Sequence, residues 1–295
     1  MLRSLVGSEM CIRDSTWKDL NESPEKPLYN RPLKGTYAPG STYKPFMALA
    51  ALETGKRTPS QSIADPGYFI LGNHTFRDDK VGGHGTVDMA KSIIDSCNTY
   101  YYHLARDMGV NPMHDFMKPL GFGQITGIDL EGESRGILPS TAWKEKAFKK
   151  TEQQKWFEGE TISLGIGQGY NSFTILQLAH ATANLANQGV VMKPHLVKSI
   201  ENPITKDRVL TTPQESYKID LKRENIDVIT KAMVDVNKFG TSAAVFKGAS
   251  YNAAGKTGTA QVYSLNAKTY NHGATPEFLR DLSLIHISEP TRLLS

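Results

Sequence analysis

At 295 residues, 39% hydrophobic and 22% charged, the chain has the composition of an ordinary globular protein, long enough to bury one large core or two modest ones. A net charge of +4 with 9% aromatic residues excludes charge-driven disorder and gives no ground for a nucleic-acid partner. No apolar run approaches the roughly 18 residues of a membrane-spanning helix, and two cysteines, Cys11 and Cys97, cannot build a disulfide framework.

The two ends read differently from the middle. Residues 1–15 and 282–295 show neither a helical nor a strand period, and they lack the features of a signal peptide. Both resemble translated adaptor sequence at the ends of a cut piece. The expected organisation is a non-native segment over 1–15, one partial domain over 16–281 and a non-native tail over 282–295. Any membrane anchor would then belong to a longer protein.

Residues 16–37 are polar and rich in proline (Pro24, Pro27, Pro32) and read as loop. A helix is predicted from Ser41 to about Glu53, with Pro45 tolerated in its first turns and Gly55 ending it. Residues 56–85 carry Gly, Pro and Asp without a sustained period, so they read as an irregular connection; a loop of that length is usually functional or metal-stapled. Val87, Ala90, Ile93, Ile94 and Cys97 lie at helical spacing, followed by Tyr101, Leu104, Ala105 and Met108 before Gly109. Asn111 and Pro112 suit a cap and first helical position, with Phe116, Met117 and Leu120 on one face. Residues 174–187 and 223–238 are strongly helical and stop at Gly189 and Gly240; residues 253–263 hold the best strand candidate, with Val262 and Tyr263 near its end. Many helices and few strands predict the helical part of an α+β domain.

Three short motifs carry the chemistry. Ser41 and Lys44 stand three apart at a helix start, on one face, where a lysine amine can take the serine proton if it is neutral. The helix dipole and burial both push the lysine in that direction. Alone the pattern is weak, since Ser15 with Lys18 and Ser23 with Lys26 match it too, and an N-cap serine is the plain alternative. Ser96 and Asn98 place a hydroxyl and an amide two apart, suited to relaying a proton and binding an amide substrate, or else simply closing a helix. Residues 255–259 (Gly-Lys-Thr-Gly-Thr) put a cation and hydroxyls on a glycine-flanked strand, fit for a carboxylate. A phosphate loop would need glycine at position 250, where Ser250 stands.

Taken together, the motifs occur in the order Ser-x-x-Lys, Ser-x-Asn, Lys-Thr-Gly, and their separations leave room for a helical subdomain between them. In this the chain resembles the penicillin-binding transpeptidases. Residues 37–45, the Gly165–Gly169 stretch with Gln168 and Tyr170, and Lys256 to Val262 look like the class B group. Residues 127–130 and 156–159 look most like its elongation-specific branch, the penicillin-binding protein 2 family. The resemblance covers nearly all of residues 16–281 and implies the penicillin-binding and serine β-lactamase-like α+β fold, truncated so that the helical subdomain is mostly kept and the central antiparallel sheet is incomplete.

It also implies roles. Ser41 would be the nucleophile and Lys44 its general base; Ser96 and Asn98 would relay the proton and hold the substrate amide; Lys256 and Thr257, with Gly258 and Thr259 on the same strand, would bind the terminal carboxylate. The substrate would be a peptidoglycan stem peptide ending in D-Ala-D-Ala, and β-lactams would acylate the same serine. Cell-elongation glycosyltransferase and shape proteins would be partners, at the periplasmic face of the inner membrane, with no cofactor needed for the chemistry.

Asp65, Asp78, His84 and Cys97 distribute carboxylate, imidazole and thiolate ligands around the 56–85 connection, enough for a closed tetrahedral zinc site, with Asp79 competing for the place of Asp78. The plain alternative is solvated acids, a surface histidine and a small buried cysteine. Some members related to penicillin-binding protein 2 carry such an Asp, Asp, His, Cys zinc site, and these four positions match it. Two other functions compete: a serine β-lactamase or carboxypeptidase, for which no convincing Glu-x-x-Leu-Asn deacylating element is seen, and a non-catalytic β-lactam sensor or scaffold. With most sheet strands lacking, the isolated chain is expected to be poorly stable and inactive.

Overall fold

The computed structural model describes residues 14–24, 26–260 and 282–288. Two helices, α1 (Asp14–Glu22) and α2 (Arg31–Lys34), occupy the stretch that reads as loop. Asn30 caps α2 by accepting from the Leu33 N–H at 3.3 Å, and Pro32 sits in the first turn, where a missing N–H costs nothing. Proline richness therefore marked a helix start here. After β1 (Thr36–Tyr37), a 3-10 turn over Gly40–Tyr43 leads into α3 (Lys44–Glu53). Every α3 residue from Lys44 to Leu52 is buried, so this helix has no solvent face and forms the centre of the core.

Residues 56–85 are not an irregular connection. They hold β2 (Ile63–Asp65), β3 (Tyr68–Leu71), β4 (His74–Arg77) and β5 (Gly85–Val87), with the β3–β4 hairpin nested inside the β2–β5 pair. Strands of three or four residues are too short to leave a period in the sequence. The helix expected up to Cys97 ends earlier, as α4 (Met89–Ile94), and Ser96 turns the chain with φ +60° before α5 (Asn98–Met108). Gly109 ends α5 and, in place of Asn111, opens α6 (Val110–Met117).

Further along lie α7 (Thr141–Ala147), α8 (Thr151–Gln154), α9 (Glu158–Leu164), β6 (Phe173–Thr174), α10 (Ile175–Ala186), β7 (Val190–Met192), β8 (Ser199–Glu201), β9 (Arg208–Leu210) and β10 (Glu215–Lys218). The chain continues through α11 (Arg223–Phe239), α12 (Ala243–Phe246), β11 (Ala254–Ala260) and β12 (Leu282–Ser288). Although residues 282–295 show no strand period in sequence, 282–288 form β12 and pair antiparallel with β11, His286 standing opposite Lys256. A ladder is built by backbone groups, which alternation of side chains does not report. Residues 1–13 and 289–295, and the expected strand end at Val262 and Tyr263, lie outside the described residues. Among the described residues every sheet is a two-stranded antiparallel ladder: β1–β6, β2–β5, β3–β4, β7–β10, β8–β9 and β11–β12.

Around α3 pack α4, α5, α6 and α11. The α11 contribution is an amphipathic stripe, with Ile226, Ile229, Met233 and Val236 buried at helical spacing. Tyr43, Phe46, Phe122 and Phe173 make an aromatic cluster at one end of α3, with ring centroids 4.8–6.0 Å apart. The Asn237 side chain, at the end of α11, donates to the Ala253 carbonyl at 2.8 Å and fastens the approach to β11. Among the described residues no helix is long and apolar enough to cross a membrane.

Candidate active site

The three motifs meet at one cleft of about 540 Å³, lined by Ser41, Ser96, Asn98, Thr257, Gly258 and Thr259 from the motifs and by Arg77, Asp79 and Gln168 around them. Ser41 lies in the 3-10 turn and Lys44 opens α3, so the tight turn presents the serine while the lysine enters the core. Lys44 is fully buried. Its Nζ donates to Asn98 Oδ1 at 2.6 Å, to Ser96 Oγ at 3.1 Å and to the Ser96 carbonyl. The left-handed backbone at Ser96 is what turns both its carbonyl and its hydroxyl onto one ammonium. Burial lowers the Lys44 pKa to about 8, against the opposing pull of Asp79, Asp78 and Cys97.

β11 forms the other wall. It lies against the 3-10 turn so closely that a Cβ on Gly40, whose φ is +56°, would sit 2.3 Å from the Thr259 carbonyl oxygen. A Cβ on Gly258 would meet the Thr42 methyl at 2.6 Å. Lys256 is buried, its Nζ donating to the Thr257 carbonyl at 3.1 Å. Burial, and then the positive charge of Lys44, hold its pKa well below the ordinary lysine value. Sequence reasoning missed Thr241, whose hydroxyl is 2.6 Å from that of Thr257, and gave Gln168 no role, although its amide donates to the Thr259 carbonyl at 3.2 Å. Gln168 stands in a glycine-bracketed stretch that was already conspicuous; Thr241 belongs to no motif and carries no sequence signal.

Ser163, on α9, also lines the cleft. Behind α9 an aromatic box encloses Lys144, whose Nζ lies 5.3–5.9 Å from the rings of Phe148, Trp156, Phe157 and Tyr170. That ammonium donates to both carboxylate oxygens of Glu160 at 2.5 and 2.6 Å and to the Lys155 carbonyl at 2.8 Å. The Phe157 N–H and the Tyr170 hydroxyl donate to the same carboxylate.

Next to the cleft, the Asp65, Asp78, His84 and Cys97 side chains each offer one ligand atom, all within 4.8 Å of one another. His84 Nδ1 is 2.8 Å from Asp65 Oδ2, and Cys97 Sγ is 3.4 Å from Asp65 Oδ2 and 3.5 Å from Asp78 Oδ2. Asp79, the competing ligand in sequence, instead lines the cleft. Burial, and after it the Asp78 and Asp65 charges, push the Cys97 thiol far above its usual value.

A serine in a tight turn, a buried lysine bonded to a Ser-x-Asn turn and a Lys-Thr-Gly strand around one cleft form the motif arrangement of the penicillin-recognising serine proteins. The chain belongs to the family of the penicillin-binding protein transpeptidase domain, whose model matches residues 11–282. It is 42% identical over 271 residues to the peptidoglycan D,D-transpeptidase MrdA of Acinetobacter baumannii, a match covering 90% of this chain and 39% of that protein. Among solved structures it is similar to Pseudomonas aeruginosa PBP2 in complex with WCK 5153, at 41% identity and TM-score 0.76, covering 85% of this chain and 56% of that one. It is also similar to PBP2 of Helicobacter pylori in its complex with MreC, at 30% identity and TM-score 0.73, covering 85% and 45% of the two chains. The chain thus spans about two fifths of the curated relative's length.

Proposed function

We propose that this chain carries the acyl-transfer centre of a peptidoglycan D,D-transpeptidase of the elongation type. The observation that carries the reading is the buried Lys44 ammonium bonded to both Ser96 and Asn98 in the cleft that Ser41 lines. In the neutral state, within reach of a pKa of about 8, Lys44 accepts the Ser41 proton as Oγ attacks the penultimate D-Ala carbonyl. The Ser96 hydroxyl, bonded to Lys44, passes that proton to the departing D-Ala nitrogen. Asn98 turns its carbonyl oxygen to Lys44, which leaves its N–H₂ to donate to a substrate amide. The Ser41 and Thr259 N–H groups stabilise the oxyanion, and Thr257, with the charge of Lys256 behind it, receives the terminal carboxylate. The amine of a second stem peptide then attacks the ester, returns its proton through the same lysine and releases Ser41, forming the cross-link.

The Asp65, Asp78, His84 and Cys97 set fits a structural zinc ion: it combines imidazole, thiolate and carboxylate donors, one ligand atom from each, all within 4.8 Å of one another. When bound, the metal would fasten the 56–85 segment to the turn that holds Ser96 and Asn98. Metal analysis should find one zinc per chain, lost in Cys97→Ala; none in the unmodified chain would end this part. In the longer protein, a glycosyltransferase and shape proteins would work beside this domain at the periplasmic face of the inner membrane; the complex of the Helicobacter pylori relative with MreC supports such partners.

The test is intact mass after incubation with benzylpenicillin, beside Ser41→Ala. A single adduct that Ser41→Ala abolishes is expected, because β11 is paired with β12 and seated on the 3-10 turn. No adduct would overturn the assignment for this chain and favour the expectation that it is inactive. Rapid turnover of a chromogenic cephalosporin would point to a β-lactamase instead.

A further inference from the structure

Among the described residues lining the cleft, Arg77 is the one cationic side chain, and the chemistry above does not use it. It is exposed, lines the same cleft as Ser41, and its guanidinium makes no hydrogen bond or ion pair among the described residues. Its backbone, by contrast, is held from several sides. It pairs with Tyr68 across the β3–β4 ladder, and its carbonyl accepts from the Tyr102 hydroxyl at 3.0 Å. The next residue, Asp78, donates its N–H to Gly67 at 2.9 Å and accepts from the Thr99 N–H at 2.7 Å. A free guanidinium on so anchored a backbone is a presented group, since little main-chain entropy is lost when it engages a ligand. It also stands on a separate wall from the Lys-Thr-Gly strand: β4 packs on α5, whereas β11 packs on α11 and the 3-10 turn.

We propose that Arg77 binds a second carboxylate of the peptide substrate, one inside the stem peptide rather than its C-terminal group, and so sets which stem peptides the cleft accepts. This rests on the transpeptidase reading, which supplies the peptide. The chemistry favours a carboxylate because the guanidinium fork matches two carboxylate oxygens at once, and no protein acid occupies it. Asp79, on the same cleft, repels an anion, so the peptide carboxylate must sit on the Arg77 side of it. The terminal carboxylate is served separately by Thr257 and Lys256, so the two anionic groups of one ligand are read on different walls.

The experiment uses two synthetic peptides ending in D-Ala-D-Ala, identical except that one carries a side-chain carboxylate at the residue before that pair and the other the corresponding carboxamide. Binding is measured by calorimetry to the Ser41→Ala chain, which removes chemistry from the readout. The acid is expected to bind about tenfold more tightly than the amide, a preference that shrinks with added salt. In Ser41→Ala with Arg77→Gln the two peptides should bind alike, and with Arg77→Lys part of the preference should return. Equal affinities in the Ser41→Ala chain, or a preference that Arg77→Gln leaves intact, would overturn the proposal. So would equal weakening of both peptides, which would mark Arg77 as structural. If benzylpenicillin fails to acylate the unmodified chain while the acid preference persists, the transferase reading fails and the carboxylate site stands.

Discussion

The aromatic box around Lys144 makes an asymmetric prediction about the wall that carries Ser163. The Lys144 side chain is 3% exposed and that of Glu160 22%, and the ammonium spends its three donors on the two Glu160 oxygens and the Lys155 carbonyl. Glu160→Gln keeps the shape but strands a buried cation. Removing one partner of a fully buried pair costs about 3–5 kcal/mol, and discounting for the partial exposure of Glu160 and the attraction of four ring faces leaves about 2 kcal/mol. Lys144→Met instead fills the box with an apolar chain of similar volume. Glu160 keeps the Phe157 N–H, the Tyr170 hydroxyl and access to water, so the cost should stay below about 1 kcal/mol. Urea denaturation of the two variants and the double variant, followed by tryptophan fluorescence, measures both values. If Lys144→Met costs as much as Glu160→Gln, the argument is wrong. Acidity gives a second check. Burial raises the Glu160 pKa, but the bond from Lys144 and those from Phe157 and Tyr170 bring it below its ordinary value. A carboxyl depressed on folding stabilises fully above its unfolded pKa of about 4.3 and loses that contribution as pH falls through the folded value. The gap between the native chain and Glu160→Gln should therefore close in acid.

Three further predictions concern the cleft. The rate of Ser41 acylation by benzylpenicillin should climb as pH rises through about 8, where Lys44 becomes neutral, and then level off; a profile flat across that region would remove Lys44 as the base. Gly40→Ala places a Cβ 2.3 Å from the Thr259 oxygen at a φ of +56°, so it should cost about 1–3 kcal/mol of stability and slow acylation at least about tenfold; unchanged acylation would show that β11 need not lie there. Thr241→Val deletes the hydroxyl partner of Thr257 and should slow acylation by β-lactams with a free carboxylate about tenfold. It should have little effect on their carboxylate esters, and equal slowing of both would refute a role in carboxylate binding.

What could be read without the structure divides along physical lines. The long helices were legible because a buried stripe imposes a period: Ile226, Ile229, Met233 and Val236 gave α11 almost to the residue. The candidate site cluster was legible because Ser41 with Lys44, and Ser96 with Asn98, are local motifs of short spacing, and the fold brings them together. The small strands between residues 63 and 87 were not, since three residues in a ladder leave no pattern. Asn98, whose plain sequence alternative is a helix end, begins a helix instead, because the left-handed step at Ser96 has no residue-type signature. Arg77 and Thr241 escaped for another reason. Each reaches the cleft only because distant segments fold together, and a single sequence does not record that meeting.

The meeting of Gly40 with Thr259 and of Gly258 with Thr42 acts as a ruler. Where a glycine lets main chain rest directly on its neighbour, the gap between the Ser41 turn and β11 is set by bond lengths and atomic radii rather than by how side chains happen to fill a core. Such a spacing survives repacking elsewhere. Identity of 41% to the Pseudomonas aeruginosa relative, with a TM-score of 0.76, leaves most positions different while the architecture persists. Tolerance of that kind lets the rim of the cleft drift in composition while the spacing between the Ser41 turn and β11 stays in register.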